Sequence, residues 1–354
     1  MSKKVLVPGG TGAMGVYLVP ELLDLGYEVD VITLDERQSD NPRLRYFKAN
    51  AKDTEYIKKM LNNGYDAIVD FMIYPTKEEY EKFISLYLKN TEHYIFLSTY
   101  RVYANEEHPV RETSPRLLDV SQDQVLLTSG DYCIYKAESE EFLKASGYSN
   151  WTAIRPAITY SKRRYQLVTM EMNLVVRRML EGKTLVLPEP AMDIEATMSW
   201  AGDVAKMISG LVLNTKAMCE IYSVCTAEHH TWREIAEMYS QIGGLKYITV
   251  DTDTFLNIIA PGNIYARQQL IYDRYFDRIM ENSKILEITG MKQAELMPLR
   301  EGLEKELRAF AREDAQWPSL DEAYNRMVEY LAKTGLSKKY ETDDFKNCCF
   351  FALP

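Results

Sequence analysis

The feature that most constrains the fold is a spaced set of glycines near the N-terminus. Gly9, Gly12 and Gly15 recur every third residue, directly after the β-prone apolar run Val5-Leu6-Val7. Leu18, Leu22, Leu23 and Leu25 follow at the mixed spacing of a buried helix face. A strand that turns at once into a helix needs positive φ and a bare backbone, and that bareness lets an anion approach the helix N-terminus. Gly10, Thr11, Ala13 and Met14 complete the turn. In this strand–turn–helix context the expected ligand is a dinucleotide pyrophosphate, the alternative being a glycine turn with no ligand. Pro20 lies within the helix and is expected to kink it or remove a hydrogen bond.

The second strand begins at Val29, Val31 and Ile32, and Asp35 and Arg37 lie just beyond it. A carboxylate there binds the adenosine ribose hydroxyls and favours NAD, whereas an arginine accepts NADP. The position of Asp35 makes NAD the expected cofactor, with NADP through Arg37 as the alternative. Apolar runs at 66–71 and 94–98 alternate with lysine- and glutamate-rich stretches at 52–63 and 76–90. Such alternation predicts an α/β fold, a doubly wound parallel sheet covered on both faces. After residue 151 short strands are expected at Trp151–Ile154, Thr184–Leu187, Ile221–Val224 and Tyr247–Val250 among helices, and 300–312 and 319–334 look helical.

Composition narrows the functional classes. The 354 residues are 46% apolar and 27% charged, as in a globular chain. Lys and Arg total 42 against 52 Asp and Glu, a net charge of −10 that argues against nucleic acid as a partner. No apolar run approaches the ~20 residues of a membrane span. The N-terminal MSKKVLVPGG lacks the apolar region of a secretory signal, so a cytoplasmic protein with reduced thiols is expected. His229 and His230 point apart on any regular element and suggest a loop or cap rather than a metal site, and no metal is expected.

Tyr132 and Lys136 are four residues apart and share a helix face. A phenol titrates near ~10, and a neighbouring ammonium favours its ionised form, so such a pair can exchange a proton with a substrate hydroxyl. Upstream, Phe96-Leu97-Ser98-Thr99 ends a strand in hydroxyl residues, and ligands of parallel sheets gather at the carboxyl ends of strands. Downstream, a further strand ends at Ile154-Arg155-Pro156.

Taken as a set, Gly9-x-x-Gly12-x-x-Gly15, Ser98-Thr99 before Val102-Tyr103, Tyr132-x-x-x-Lys136 and Ile154-Arg155-Pro156 resemble the extended short-chain dehydrogenases/reductases, the NAD-dependent epimerase/dehydratase family. Ser199-Trp200-Ala201-Gly202-Asp203 and Asn282-Ser283-Lys284 with Thr289-Gly290 resemble later segments of that family. The resemblance spans roughly residues 3–310. It implies a Rossmann domain over 1–160, a smaller C-terminal α/β substrate region over 161–310, and a helical extension over 311–354 outside it.

The resemblance also implies site roles. Tyr132 would be the acid/base, Lys136 would lower its pKa and hold the nicotinamide ribose, and Thr99 would bond the reacting oxygen. Phe71, Met72, Ile73 and Pro156 would line the cofactor. Asn50, with Ala51 beside it, stands near a usual adenine-contacting aspartate. Where family dehydratases carry Thr-Asp-Glu, this chain has Thr99-Tyr100-Arg101, which disfavours dehydration and makes Tyr100 and Arg101 candidate substrate contacts. Among Arg267, Arg274 and Arg278, Arg274 is the preferred candidate for a substrate pyrophosphate, against a helix surface paired with Asp273 and Asp277. The implied substrate is a sugar or sugar nucleotide interconverting a hydroxyl and a ketone, and the implied assembly is a homodimer. The short interval from Phe71 to Ser98 also resembles atypical members described as RNA-binding, a role that the acidic balance opposes. The alternative to an enzyme is a dinucleotide-binding sensor or scaffold without turnover.

Overall fold

The computed structural model describes residues 2–310 and 321–335. Two compact units are present. The first takes residues 2–159 together with 199–227 and 280–296, so segments from the second half of the chain return to it. The second takes 160–198, 228–279 and the described residues after 297.

The first unit is built on seven strands: β1 (Lys4–Pro8), β2 (Glu28–Thr33), β3 (Leu44–Lys48), β4 (Tyr65–Asp70), β5 (Thr91–Leu97), β6 (Trp151–Pro156) and β7 (Glu220–Val224). Their spatial order is β7-β6-β5-β4-β1-β2-β3, and every neighbouring pair is parallel. The expected α/β Rossmann-type sheet is therefore present. Its edge strand β3, Leu44-Arg45-Tyr46-Phe47-Lys48, has no counterpart in the sequence reading, because only Leu44, Tyr46 and Phe47 are half-buried and the run carries two basic residues.

Strand alternation sends side chains to two cores. Val5, Val7, Val29 and Val31 pack with Leu18 and Leu22 of α1 (Gly15–Asp24) on one face. Leu6, Ile68, Tyr94 and Phe96 face the other core, with Ile57 of α2 (Thr54–Leu61), Phe83 and Tyr87 of α3 (Lys77–Leu88) and Leu143 of α4 (Tyr132–Ala145). Each buried apolar side chain of this size contributes roughly 1.5–3 kcal/mol. α1 runs through Pro20, which is exposed, so the proline removes a donor without ending the helix. Asp53, Thr76 and Asp131 cap α2, α3 and α4 by accepting first-turn N–H groups.

The second unit contains the parallel pair Thr184–Pro188 with Lys246–Val250 and the short antiparallel pair Glu195–Ala196 with His230–Thr231. Helices Met172–Leu180, Trp232–Gly243, Leu299–Arg308 and Glu322–Thr334 belong to it. Of the segment 311–354, residues 311–320 and 336–354 lie outside the described residues. No helix of the described residues is long and apolar enough to cross a membrane.

Candidate active site

The glycine turn joins β1 to α1. Gly9 has φ +76°, and a Cβ on it would meet Met72 Sδ at 3.3 Å and Phe71 Cβ at 3.4 Å. A Cβ on Gly10 would lie 2.9 Å from Val7 Cγ1, and one on Gly15 only 2.3 Å from the Gly10 carbonyl oxygen. Packing of helix on strand therefore demands Gly10 and Gly15. Gly12 differs: it is exposed, and a Cβ there would meet only the Gly9 carbonyl, at 3.5 Å. The Met14 side chain does not cap α1, so no cap side chain competes with an anion for its first N–H groups. These features fit a pyrophosphate.

Thr11 and Thr33 share a hydroxyl–hydroxyl bond of 2.9 Å across the turn, and the Asp35 N–H donates to Thr33 Oγ1 at 3.1 Å. Arg37 reaches Asp35 at 3.4 Å, so the two residues that the sequence offers for choosing between NAD and NADP face each other. The Phe71 N–H donates to the Pro8 carbonyl at 3.1 Å, which keeps Phe71 and Met72 beside Gly9, while Ile73 is exposed. Asn50 is exposed and its Oδ1 accepts the Lys52 N–H at 2.9 Å, as a turn residue ahead of α2. Ala51 is buried in the α2–α3 core. Pro156 is buried at the end of β6, paired with Val224.

Tyr132 opens α4 and is half-buried. Lys136, one turn further, is almost wholly buried, and its Nζ donates to the Leu97 carbonyl at 2.6 Å and lies 5.8 Å from the Tyr132 ring centre. Thr99, two residues beyond Leu97, accepts the Arg101 N–H at 3.2 Å and starts the turn Tyr100–Val102. The structure thus brings Thr99, Tyr132 and Lys136 to the carboxyl end of β5. Tyr100 is buried, whereas Arg101 reaches Asp131 at 3.3 Å with its guanidinium over the Tyr132 ring.

Two carboxylates beside this set escaped the sequence reading. Asp70 ends β4 fully buried, accepting from the Met72 N–H at 3.0 Å and from the hydroxyls of Tyr94 and Tyr74 at 3.0 and 3.4 Å. Burial pushes its pKa up against the pull of these donors and of Lys136. Burial likewise lowers the Lys136 pKa, opposed by Asp70 and Glu140. Glu140, a further turn along the face of Tyr132 and Lys136, receives Arg155 at 2.8 and 2.5 Å, Arg116 at 3.4 Å and the Ser98 hydroxyl. Burial raises the Glu140 carboxyl, but Arg155, Ser98 and Arg116 outweigh it and hold it below the usual range. The four-residue spacing that marks Lys136 also marks Glu140; Asp70 carries no pattern beyond ending an apolar run.

Arg274 lies in the second unit, buried among protein groups. Its Nε donates to the Val168 carbonyl at 2.7 Å, one terminal nitrogen reaches Gln166 at 3.1 Å and another pairs with Asp273. The guanidinium offered by the sequence to a substrate pyrophosphate is thus engaged by Val168, Gln166 and Asp273. Arg278 also reaches Asp273, at 3.3 Å, and the exposed Arg267 pairs with Asp253. His229 and His230 bond Glu195 and Glu228 at 2.9 and 2.8 Å beside the capping box of Thr231 and Glu234. No cluster of three or more His, Cys, Asp or Glu suited to a metal ion occurs among the described residues.

Comparison with known proteins places this geometry. Residues 9–179 match the NAD(P)H-binding family model. The chloroplast stem-loop binding protein of 41 kDa b from Arabidopsis thaliana is 25% identical over 257 residues, covering 68% of this chain and 64% of that protein. UDP-glucose 4-epimerase from Lactobacillus helveticus is 28% identical over 167 residues, 43% of this chain and 50% of the relative. The chain therefore spans less than two thirds of either curated relative's length. The structure of UDP-glucose 4-epimerase with UDP-glucose from Thermotoga maritima superposes with a TM-score of 0.65 at 18% identity, covering 86% of this chain and 97% of that one. Residues 9–179 are thus similar to NAD(P)H-binding domains, and the chain shares the fold of solved epimerases and dehydratases.

Proposed function

We propose that this chain is an NAD(P)-dependent epimerase or reductase acting on a hydroxyl–ketone pair in a sugar or sugar nucleotide. The observation that carries the reading is the gathering of Tyr132, Lys136 and Thr99 at the carboxyl end of β5, with β4 between that strand and the β1 glycine turn. Bound nicotinamide supplies the hydride chemistry. Tyr132 gives or takes the hydroxyl proton at its phenolic oxygen, and Thr99 orients the same substrate oxygen through its Oγ1. Lys136 ties the tyrosine helix to the Leu97 carbonyl and adds positive charge beneath the ring. Gly9, Gly10, Gly12 and Gly15 admit the pyrophosphate, and Asp35 and Arg37 meet the adenosine ribose. On this reading residues 1–160 hold the cofactor, 161–310 select the substrate and the active species is a homodimer. That a structural neighbour was solved with UDP-glucose supports the sugar-nucleotide class.

A second reading, a dinucleotide-binding protein without turnover, has one observation in its favour: the Lys136 ammonium is engaged by a backbone carbonyl and is nearly inaccessible. Tyr132→Phe separates the two. On the enzyme reading turnover collapses while dinucleotide affinity stays; on the other, nothing changes.

A further inference from the structure

The segment after β5 places a second cation at the tyrosine. Arg101 is only 12% exposed and donates to Asp131 at 3.3 Å. The same Asp131 oxygen accepts the Cys133 N–H at 2.9 Å and caps α4, so the guanidinium is fastened to the first turn of the tyrosine's own helix. Its central carbon stands 5.3 Å from the Tyr132 ring centre, nearer than the Lys136 nitrogen at 5.8 Å. Lys136, moreover, is drawn to the Leu97 carbonyl and lies in the field of Asp70 and Glu140.

We propose that Arg101 is a positioning residue for Tyr132: clamped by Asp131 against the ring, it stabilises the phenolate and holds the phenol in place for proton transfer. This inference rests on the reading of Tyr132 as the proton-transfer group. A cation over an aromatic face is attracted by the ring, and more strongly once the ring carries the phenolate charge. A guanidinium keeps its proton at any working pH, whereas a buried ammonium gives its proton up more readily. The charged and titratable groups around the ring include Asp131, Tyr135 and Lys136 from α4 itself and Arg101 from the turn after β5. Glu79 of α3 acts on Tyr135, and Asp70 of β4 acts through Lys136. Asp131 is the opposing charge, partly answered by the Cys133 N–H.

The test is direct titration of Tyr132. Protein labelled with ¹³C at tyrosine Cζ is followed by NMR against pH, with the Tyr132 resonance identified by its loss in Tyr132→Phe. Arg101→Gln is expected to raise the Tyr132 midpoint by about one pH unit or more, and Arg101→Lys to restore part of the shift. An unchanged midpoint in folded Arg101→Gln overturns the proposal. Should that variant fail to fold, Arg101→Met keeps an unbranched stem packed on the ring but removes the charge. It too must raise the midpoint, and no change there overturns the proposal equally. The titration needs no substrate: a raised midpoint in a protein without turnover defeats the enzyme reading alone, and turnover without a shift defeats this inference alone.

Discussion

The Lys136 ammonium donates to the Leu97 main-chain carbonyl at 2.6 Å, binding the first turns of the tyrosine helix to the last residue of β5. That hydrogen bond ties the helix that carries Tyr132 to the strand that ends two residues before Thr99.

Tyr132→Phe removes the exchangeable proton, while the ring keeps its contact with Tyr135, 5.4 Å between centres. Turnover is expected to fall on the order of 10²-fold or more. Dinucleotide affinity, measured by calorimetry, is expected to stay within a few-fold of wild type.

Gly12→Ala separates folding from cofactor binding. Its new methyl group would make only an ordinary 3.5 Å contact with the Gly9 carbonyl, so the thermal midpoint should hardly move. The methyl would stand on the open face of the turn, where the pyrophosphate must approach the backbone. Dinucleotide affinity should drop by about tenfold or more, a loss of at least ~1.4 kcal/mol. Gly15→Ala, with its 2.3 Å clash, should destabilise the fold itself.

Glu140→Ala leaves Arg155 buried without its carboxylate partner. Removing one member of a buried ion pair typically costs about 3–5 kcal/mol, and urea denaturation should show a loss of this size. The penalty should exceed that of Glu55→Ala, since Glu55 pairs with Lys58 on the exposed surface of α2.

The sheet and the turn were legible because their physics is local. Val5-Leu6-Val7 and the glycines declare strand, turn and helix within about a dozen residues. Tyr132, Lys136 and Thr99 were legible only as a set, since each pattern alone is common. β3 was not, because an edge strand with basic, exposed positions lacks the apolar signal of a central one. Asp70 and Glu140 were hidden for a different reason: the sequence shows a charge but not whether the fold will bury it. Arg274 is the converse case: its chemistry suits a ligand, and two of the protein groups that engage it lie 106 and 108 positions away in the sequence.

His93 gives a pH signature. It is buried on β5, its Nε2 2.8 Å from the Thr152 hydroxyl and its Nδ1 accepting the Leu213 N–H at 3.0 Å. Burial lowers its pKa to about 4. Since the unfolded chain titrates near ~6.5, it binds the extra proton between these values, so stability falls as pH drops through that window. The contribution amounts to about 3 kcal/mol in full, at a slope of about 1.4 kcal/mol per pH unit. Urea midpoints from pH 7 to 5 should decline more steeply in wild type than in His93→Gln.

The most direct measurement of the central claim pairs dinucleotide binding with product formation. Wild type and Tyr132→Phe are loaded with NAD(H) or NADP(H) and incubated with UDP- and dTDP-hexoses, and the sugars are then resolved by chromatography. One bound dinucleotide per chain is expected in both proteins, with an epimerised, oxidised or reduced sugar formed by wild type alone. Product formed by Tyr132→Phe at the wild-type rate, or a wild-type chain that binds neither dinucleotide, would contradict that claim.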